Sequence, residues 1–108
     1  MTPDVLFNAI KQWGRDKGII NPTLQFAKIN EEVGELAHEL VRGYCGGYGE
    51  RVPSQETVDA IGDILVTVII FADIIGVDPL EALQLSYDTI KGRTGHTENG
   101  SFIKDGEN

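Results

Sequence analysis

The sequence predicts an all-α protein with four helices. Apolar residues recur at steps of three and four through most of the chain, and three of the predicted helices start with a capping residue followed by proline. No pair of alternating segments indicates a sheet, and a tail rich in Gly, Asn and Asp follows the fourth helix, with "SFIK" as a short extended piece. We therefore predict one all-α domain, 1–108, with a short irregular C-terminal tail.

The first two helices have clear starts and ends. The first starts at Thr2 and ends at Gly18, with apolar residues at helical spacing between them. The second starts at Asn21, is expected to run to about Arg42, and carries an apolar stripe along one face. The glycine-rich stretch "GYCGGYGERVPS" then predicts a loop, because it combines four glycines with a proline.

The third helix is the most apolar segment of the chain. Ser54 caps its start, and Gly76 fits its stop after about Ile75. A helix this apolar is expected to be buried on almost all sides, and three short neighbours cannot cover it. The chain is therefore expected to form a homodimer or a homotetramer. The fourth helix starts at Asp78 in "DPLE" and runs to about Lys91.

Charge and cysteine content exclude several classes of protein. The formal net charge of −8 argues against a nucleic-acid or anionic-membrane binder, since both need a basic surface. The apolar run that ends near Ile75 is too short to span a bilayer and carries Asp73. The single cysteine, Cys45, cannot form an internal disulfide, and no signal peptide is visible, so we expect a cytoplasmic protein.

Acidic residues lie beside the apolar faces of the second and third helices. Glu32, Glu35 and Glu39 lie within about 60° of one another on the helical wheel, and Asp59 and Asp63 are one turn apart. If these two helices pack together, the carboxylates converge and repel one another unless a cation neutralises them. Ligands that are all oxygen suit Mg²⁺, with Mn²⁺ as a possible substitute.

Other interpretations of these residues compete with the metal site. Glu31 and Glu39, taken alone, fit a solvent-exposed helix face. Glu35 and His38 form an ExxH pair, which is typical of di-iron helical bundles. That class needs a second ExxH pair, whereas the other histidine, His96, lies in the tail.

Two acidic motifs resemble those of a known family. "EEVGEL", followed about two dozen residues later by "DAIGDIL", is similar to the EExxE…ExxD signature of the MazG-like all-α nucleoside triphosphate pyrophosphohydrolases. The flanking "IKQWGRDKGI", "LQFAKINEE" and "YDTIKGRTGHTENGSFIKD" resemble other segments of the family, so the resemblance covers most of the chain. It implies a four-helix MazG-like bundle completed by homo-oligomerisation.

The resemblance also implies an activity. Family members hydrolyse a (deoxy)nucleoside triphosphate to the monophosphate and pyrophosphate with Mg²⁺, for sanitation or adjustment of nucleotide pools in a cell or a phage. Glu32 and Glu35 match the ExxE metal ligands, and Asp63 matches the last residue of ExxD. Glu31 matches the first glutamate, which orients or deprotonates the attacking water. Glu31, Glu32 and Glu35 are thus the predicted catalytic residues.

The fourth metal ligand departs from the family pattern. Ala60 stands where the family has a glutamate, and Asp59 is the nearest acid. We predict that Asp59 replaces it as a ligand, although an aspartate near the start of a helix also complements the helix dipole.

Five residues are candidates for binding the nucleotide, and each has a structural alternative. Lys28 is predicted to bind phosphate or to form an i,i+4 salt bridge. Lys91, Arg93 and Lys104 are predicted to bind phosphate or to complement the end of a helix. Trp13 stacks on a base or packs in the core. A non-catalytic helical module that binds a nucleotide or a protein, and phosphoribosyl-ATP pyrophosphohydrolase, are the other functions considered.

Overall fold

The computed structural model describes residues 1–41 and 54–106, and this part of the chain is mostly helical. Four helices and two strands follow one another in the order α1 Pro3–Asp16, α2 Pro22–Val41, α3 Gln55–Ile74, α4 Pro79–Ile90, β1 Gly95–Glu98 and β2 Ser101–Lys104. The predicted all-α class is thus confirmed in its broad form. The predicted loop after α2, with Cys45, lies outside the described residues.

Capping side chains set the start of each helix where the sequence predicts it. Thr2 Oγ1 accepts a hydrogen bond from the Val5 amide at 3.3 Å, and Ser54 Oγ accepts one from the Thr57 amide at 3.1 Å. Asn21 and Asp78 cap the other two helices in the same way. Gly18 and Gly76 follow α1 and α3 with φ of +72° and +78°, a conformation that favours glycine.

The predicted irregular tail is wrong, because β1 and β2 form an antiparallel hairpin. The register runs from Gly95 opposite Lys104 to Glu98 opposite Ser101. Between the strands, Asn99 and Gly100 both have positive φ, at 50° and 79°. This is the two-residue turn whose twist matches that of the flanking strands. The extended piece expected at "SFIK" is strand β2.

The chain divides into two compact units, Met1–Val77 and Asp78–Asn108. In the first unit α3 packs against both α1 and α2. Among the described residues of this unit, the buried hydrophobic ones lie on α3 and are Ala60, Ile69, Ile70 and Ala72. Gly14 of α1 allows a close approach, since a Cβ at that position would lie 3.2 Å from Cγ2 of Ile70. The prediction of one domain over 1–108 stays a prediction.

Helix α3 is not buried on all sides within one chain. Val58, Ile61, Leu65 and Val68 are 53%, 48%, 59% and 41% exposed. Their spacing of three, four and three residues places them in one stripe along the helix. We call these four residues the α3 stripe. In a single chain the α3 stripe is thus about half exposed.

The second unit consists of α4 and the hairpin. No residue of α4 is buried. Near its end Lys91 Nζ lies 3.0 Å from Asp88 Oδ1 and 5.7 Å from the centre of the Tyr87 ring. Among the described helices, no single one has the length and hydropathy needed to cross a membrane.

An ion pair joins α1 to the end of α3. Arg15 donates from Nε to Asp73 Oδ2 at 2.9 Å and from Nη2 to Asp73 Oδ1 at 2.6 Å. These hydrogen bonds hold the pKa of the Asp73 carboxyl below its ordinary value, although partial loss of hydration opposes them. Such a two-point contact fixes the orientation of both side chains.

We expect this pair to stabilise the fold at neutral pH and to lose that effect in acid. The folded pKa of Asp73 lies below the ordinary 3.8, so its contribution is complete above about 3.8 and disappears as the pH falls through the folded pKa. In urea unfolding, the unfolding free energy of wild type should fall as the pH falls through this range. The part of that fall due to the ion pair should be absent, to the same extent, in Asp73→Asn, in Arg15→Met and in the double variant. A double variant whose two effects simply add would contradict a direct coupling between these side chains.

Candidate functional site

Three carboxylates converge where α2 packs against α3. Glu32 and Glu35 lie one turn apart on α2, and Asp63 lies on α3. One oxygen atom from each of the three residues lies within 4.8 Å of the others. We call Glu32, Glu35 and Asp63 the acidic cluster. The structure therefore brings together three of the four predicted metal ligands.

Glu32 is the buried member of the acidic cluster, at 6% exposed. Its Oε1 lies 3.3 Å from Lys28 Nζ, and its Oε2 is buried with no hydrogen-bond partner in the part of the chain that the structure describes. An unsatisfied buried carboxylate oxygen is costly to the fold. Glu35 and Asp63 are exposed. A ligand arriving from solvent can thus reach the cluster.

The charges of the acidic cluster repel one another. The negative charge of Glu32 raises the pKa of the Glu35 carboxyl above its ordinary value, and partial loss of hydration adds to the effect. Lys28 opposes this shift but does not cancel it. A divalent cation would remove the repulsion and would satisfy the free oxygen of Glu32. Because all the donors are carboxylate oxygens, they fit Mg²⁺ or Mn²⁺.

The predicted fourth ligand, Asp59, is not part of the acidic cluster. Its Oδ1 accepts a hydrogen bond from Gln55 Nε2 at 2.8 Å. Asp59 still lies one turn before Asp63, and both residues line a cleft of about 490 Å³ beside the acidic cluster. This acidic cleft is also lined by Glu31, Glu35, His38, Glu39 and Glu56.

Glu39 differs from its expected place on a solvent-exposed face. It is only 6% exposed, and Ser54 Oγ lies 3.5 Å from its Oε2. The helical wheel places Glu39 beside the apolar stripe, but a wheel for one helix does not include contacts with other parts of the chain, such as the one with Ser54. Glu31 does face solvent, with 59% of its side chain exposed.

A second cavity, of about 600 Å³, is also lined by Glu32 and Asp63 of the acidic cluster. Trp13 and Lys28, two of the predicted nucleotide-binding residues, line this cavity. Trp13 is 50% exposed, so the alternative of a core tryptophan is wrong, and Lys17 Nζ lies 6.0 Å from the centre of its ring. Lys28 forms the expected salt bridge with Glu32 and a second one with Glu31.

The other three predicted phosphate-binding residues belong to the second unit. Lys91 follows α4, Arg93 precedes the hairpin, and Lys104 ends β2. His96 lies in strand β1 rather than on a helix, and its Nε2 lies 3.1 Å from Glu98 Oε1. Phosphate binding by the three basic residues stays a prediction.

Sequence reasoning missed three polar residues that line the cavity: Asn21, Gln25 and Thr67. The sequence predicts Asn21 only as a helix cap. Gln25 lies between apolar residues of α2, and its burial depends on the contact with α3. Only the capping role of Asn21 has a signal in the sequence.

Comparison of the chain with protein-family models, with curated proteins and with solved structures finds no match. The geometry of the acidic cluster and the motifs that resemble the MazG-like family are therefore the observations on which a functional proposal can rest.

Proposed function

We propose that the protein hydrolyses a (deoxy)nucleoside triphosphate to the monophosphate and pyrophosphate with Mg²⁺. The observation that carries the proposal is the convergence of Glu32, Glu35 and Asp63 around a buried oxygen that has no hydrogen-bond partner among the described residues. The resemblance of "EEVGEL" and "DAIGDIL" to the MazG-like signature supports the reaction type. Mn²⁺ is a suitable substitute.

Each residue of the site has a role in this reaction. Glu32, Glu35 and Asp63 would hold Mg²⁺, and the bound cation would supply positive charge against the negative charge that develops on the phosphates in the transition state. Glu31 is exposed, and its Oε1 lies 3.3 Å from Lys28 Nζ. In this reaction Glu31 orients a water molecule and accepts its proton. The water oxygen bonds to a phosphorus of the α–β anhydride, and the bond to the bridging oxygen breaks. Lys28 binds a phosphate oxygen.

A panel of standard and modified nucleoside triphosphates tests the proposal. With Mg²⁺, at least one of them should yield equal amounts of monophosphate and pyrophosphate by chromatography, and a chelator should stop the reaction. Orthophosphate as the first product would contradict the proposed bond cleavage.

The position of Ala60 favours a second candidate, a helical module that binds nucleotide without hydrolysing it. Ala60 is 4% exposed and occupies the place of a family glutamate. Such a module would bind a nucleotide in calorimetry and would release no pyrophosphate over a long incubation. Release of pyrophosphate by the purified protein, absent in Asp63→Asn, would exclude it.

Asp59 stays the proposed fourth ligand, which requires its carboxylate to exchange the Gln55 amide for the cation. Asp59→Asn should then lower turnover by more than about a hundredfold, above the usual effect of losing an outer-shell partner. The Asp59→Asn variant should also need a higher Mg²⁺ concentration than wild type for half-maximal turnover, with little change in melting temperature. Gln55→Ala is the matched control, since it frees the carboxylate and should keep turnover. Intact turnover in Asp59→Asn would leave a site with three carboxylates.

We also propose that the chain forms a homodimer or homotetramer through the α3 stripe. These four side chains are apolar and about half exposed in one chain. A second copy would bury them, at a gain of about 25 cal/mol per Å² of apolar area removed from water. Light scattering at micromolar concentration should show an oligomer, and Leu65→Glu should convert it to a monomer with unchanged helicity. A stable wild-type monomer would contradict this proposal.

A further inference from the structure

Lys28 places an ammonium group against the acidic cluster. Its Nζ lies 3.3 Å from Oε1 of Glu32 and 3.3 Å from Oε1 of Glu31. The ammonium group of a lysine is charged at neutral pH, so Lys28 brings positive charge to the buried member of the cluster. Its influence reaches further along α2. Glu32 raises the pKa of the Glu35 carboxyl, and the charge of Lys28 acts against that rise.

Lys28 neutralises the acidic cluster only in part. Its single positive charge stands against three carboxylates. It contacts Oε1 of Glu32, while Oε2 is buried with no hydrogen-bond partner among the described residues. A divalent cation carries twice the charge of an ammonium group and binds oxygens of several carboxylates at once. The ion pair in the metal-free protein is therefore a partial substitute for a bound cation.

An ammonium group and a divalent cation cannot both stay at Glu32 without a large cost in free energy. The two oxygens of a carboxylate are close together, so a cation on either of them would lie within a few ångströms of Lys28 Nζ. Like charges at such a distance repel strongly, even with the screening of a protein surface. Lys28 can move away, because 47% of its side chain is exposed and its stem is flexible. Glu31, outside the acidic cluster, offers the displaced ammonium group a partner at the surface.

We propose that Lys28 is the internal counter-ion of the acidic cluster in the metal-free protein, and that a divalent cation binds by displacing it from Glu32. Lys28 then has two opposite effects. It stabilises the fold when no metal is bound, and it weakens the affinity of the acidic cluster for metal. An ordinary i,i+4 ion pair would instead stabilise α2 equally with and without metal. The inference rests on the proposed function for the binding of a cation, but not for the hydrolysis.

The test compares the full wild-type chain with Lys28→Met, which removes the charge and keeps a long unbranched side chain. Mn²⁺ is the probe, because carboxylate oxygens suit it as they suit Mg²⁺, and no nucleotide is added. In calorimetry, Lys28→Met should bind Mn²⁺ about fivefold more tightly than wild type, the usual effect of one hydrogen bond or ion pair on an equilibrium. Lys28→Arg keeps the charge and should bind Mn²⁺ with nearly the wild-type affinity.

Thermal melting gives a readout that an ordinary surface ion pair would not change. Without Mn²⁺, Lys28→Met should melt below wild type, because the buried carboxylate of Glu32 loses its counter-ion. At saturating Mn²⁺ most of this difference should disappear, because wild-type Lys28 has then left Glu32. Linkage requires the gain in affinity to equal the gain in the folding equilibrium that Mn²⁺ restores.

Two further variants complete the test. Lys91→Met is the matched control, since Lys91 Nζ also forms an ion pair, 3.0 Å from Asp88 Oδ1, and its side chain is 55% exposed. It should change neither the affinity for Mn²⁺ nor the effect of Mn²⁺ on melting. Lys28→Gln, which can donate a hydrogen bond to Glu32 without a charge, repeats the test if Lys28→Met does not fold without metal.

The outcomes separate this inference from the proposed hydrolysis. Tighter binding of Mn²⁺ without Lys28, in a protein that releases no pyrophosphate from any triphosphate, supports the displacement and refutes the hydrolysis. Equal or weaker binding without Lys28, or a loss of melting temperature that is the same with and without Mn²⁺, overturns the displacement even if pyrophosphate is released. A wild-type protein that binds no Mn²⁺ overturns it as well.

Discussion

Glu35→Gln is expected to lower nucleotide hydrolysis by more than about a hundredfold while the protein stays folded. The amide has the size of the carboxylate but cannot supply an anionic oxygen to Mg²⁺, and loss even of an outer-shell partner costs about 10–100-fold at metal sites. Glu35 is exposed, and the charge of Glu32 raises its pKa, so its ionised form is disfavoured in the fold. Without metal, the variant should therefore melt no lower than wild type.

The measurement combines steady-state release of pyrophosphate with thermal melting in the presence and absence of Mg²⁺. Wild type should gain thermal stability from Mg²⁺, and Glu35→Gln should gain much less. Glu81→Gln, in the first turn of α4, is the matched control and should retain both turnover and the response to Mg²⁺. Wild-type turnover in Glu35→Gln would refute the assignment of the acidic cluster as the metal site.

Ile70→Ala is expected to cost about 2–5 kcal/mol of unfolding free energy, the usual range for truncating a buried isoleucine. Ile70 is 3% exposed and lies against Gly14, at the contact between α1 and α3. The truncation removes apolar contacts and leaves a void that a helix contact this close cannot fill without moving. Since single domains are stable by only about 5–15 kcal/mol, this one change would remove much of the total.

Urea unfolding at neutral pH gives the unfolding free energy of Ile70→Ala. The control is Ile20→Ala, because Ile20 is 77% exposed and a surface truncation should stay within about 0.5 kcal/mol. Equal losses in the two variants would show that the contact between α1 and α3 contributes little to stability.

The helices could be predicted from the sequence because their signals are local. Thr2, Asn21, Ser54 and Asp78 cap the amide groups of their own first turns, and such bonds involve residues two or three positions apart. The hairpin had a local signal as well, in Asn99-Gly100, but its strands have only four residues each and no clear alternation. The turn, rather than the strands, identifies this hairpin.

The candidate site could be predicted only in part because it depends on contacts between helices. Glu32, Glu35 and Asp63 could be grouped from their spacing, given that α2 packs on α3. The contact between buried Glu39 and Ser54 joins residues 15 positions apart. The hydrogen bond from Gln25 to the Thr67 carbonyl joins residues 42 positions apart. Periodicity within one helix contains no information on such distances, so the cavity wall could not be predicted.

If Mg²⁺ binds as proposed, the Glu32 oxygen that has no partner among the described residues would link the lifetime of the polypeptide to its supply of cations. Under the proposed binding of Mg²⁺, the folded chain gains stability by mass action, about 2.7 kcal/mol when the free ion is at a hundred times its dissociation constant. Proteases cleave the unfolded fraction, and that fraction falls about tenfold for every 1.4 kcal/mol. A cell depleted of divalent ions would thus degrade this protein faster than one that is replete, even if no substrate is present.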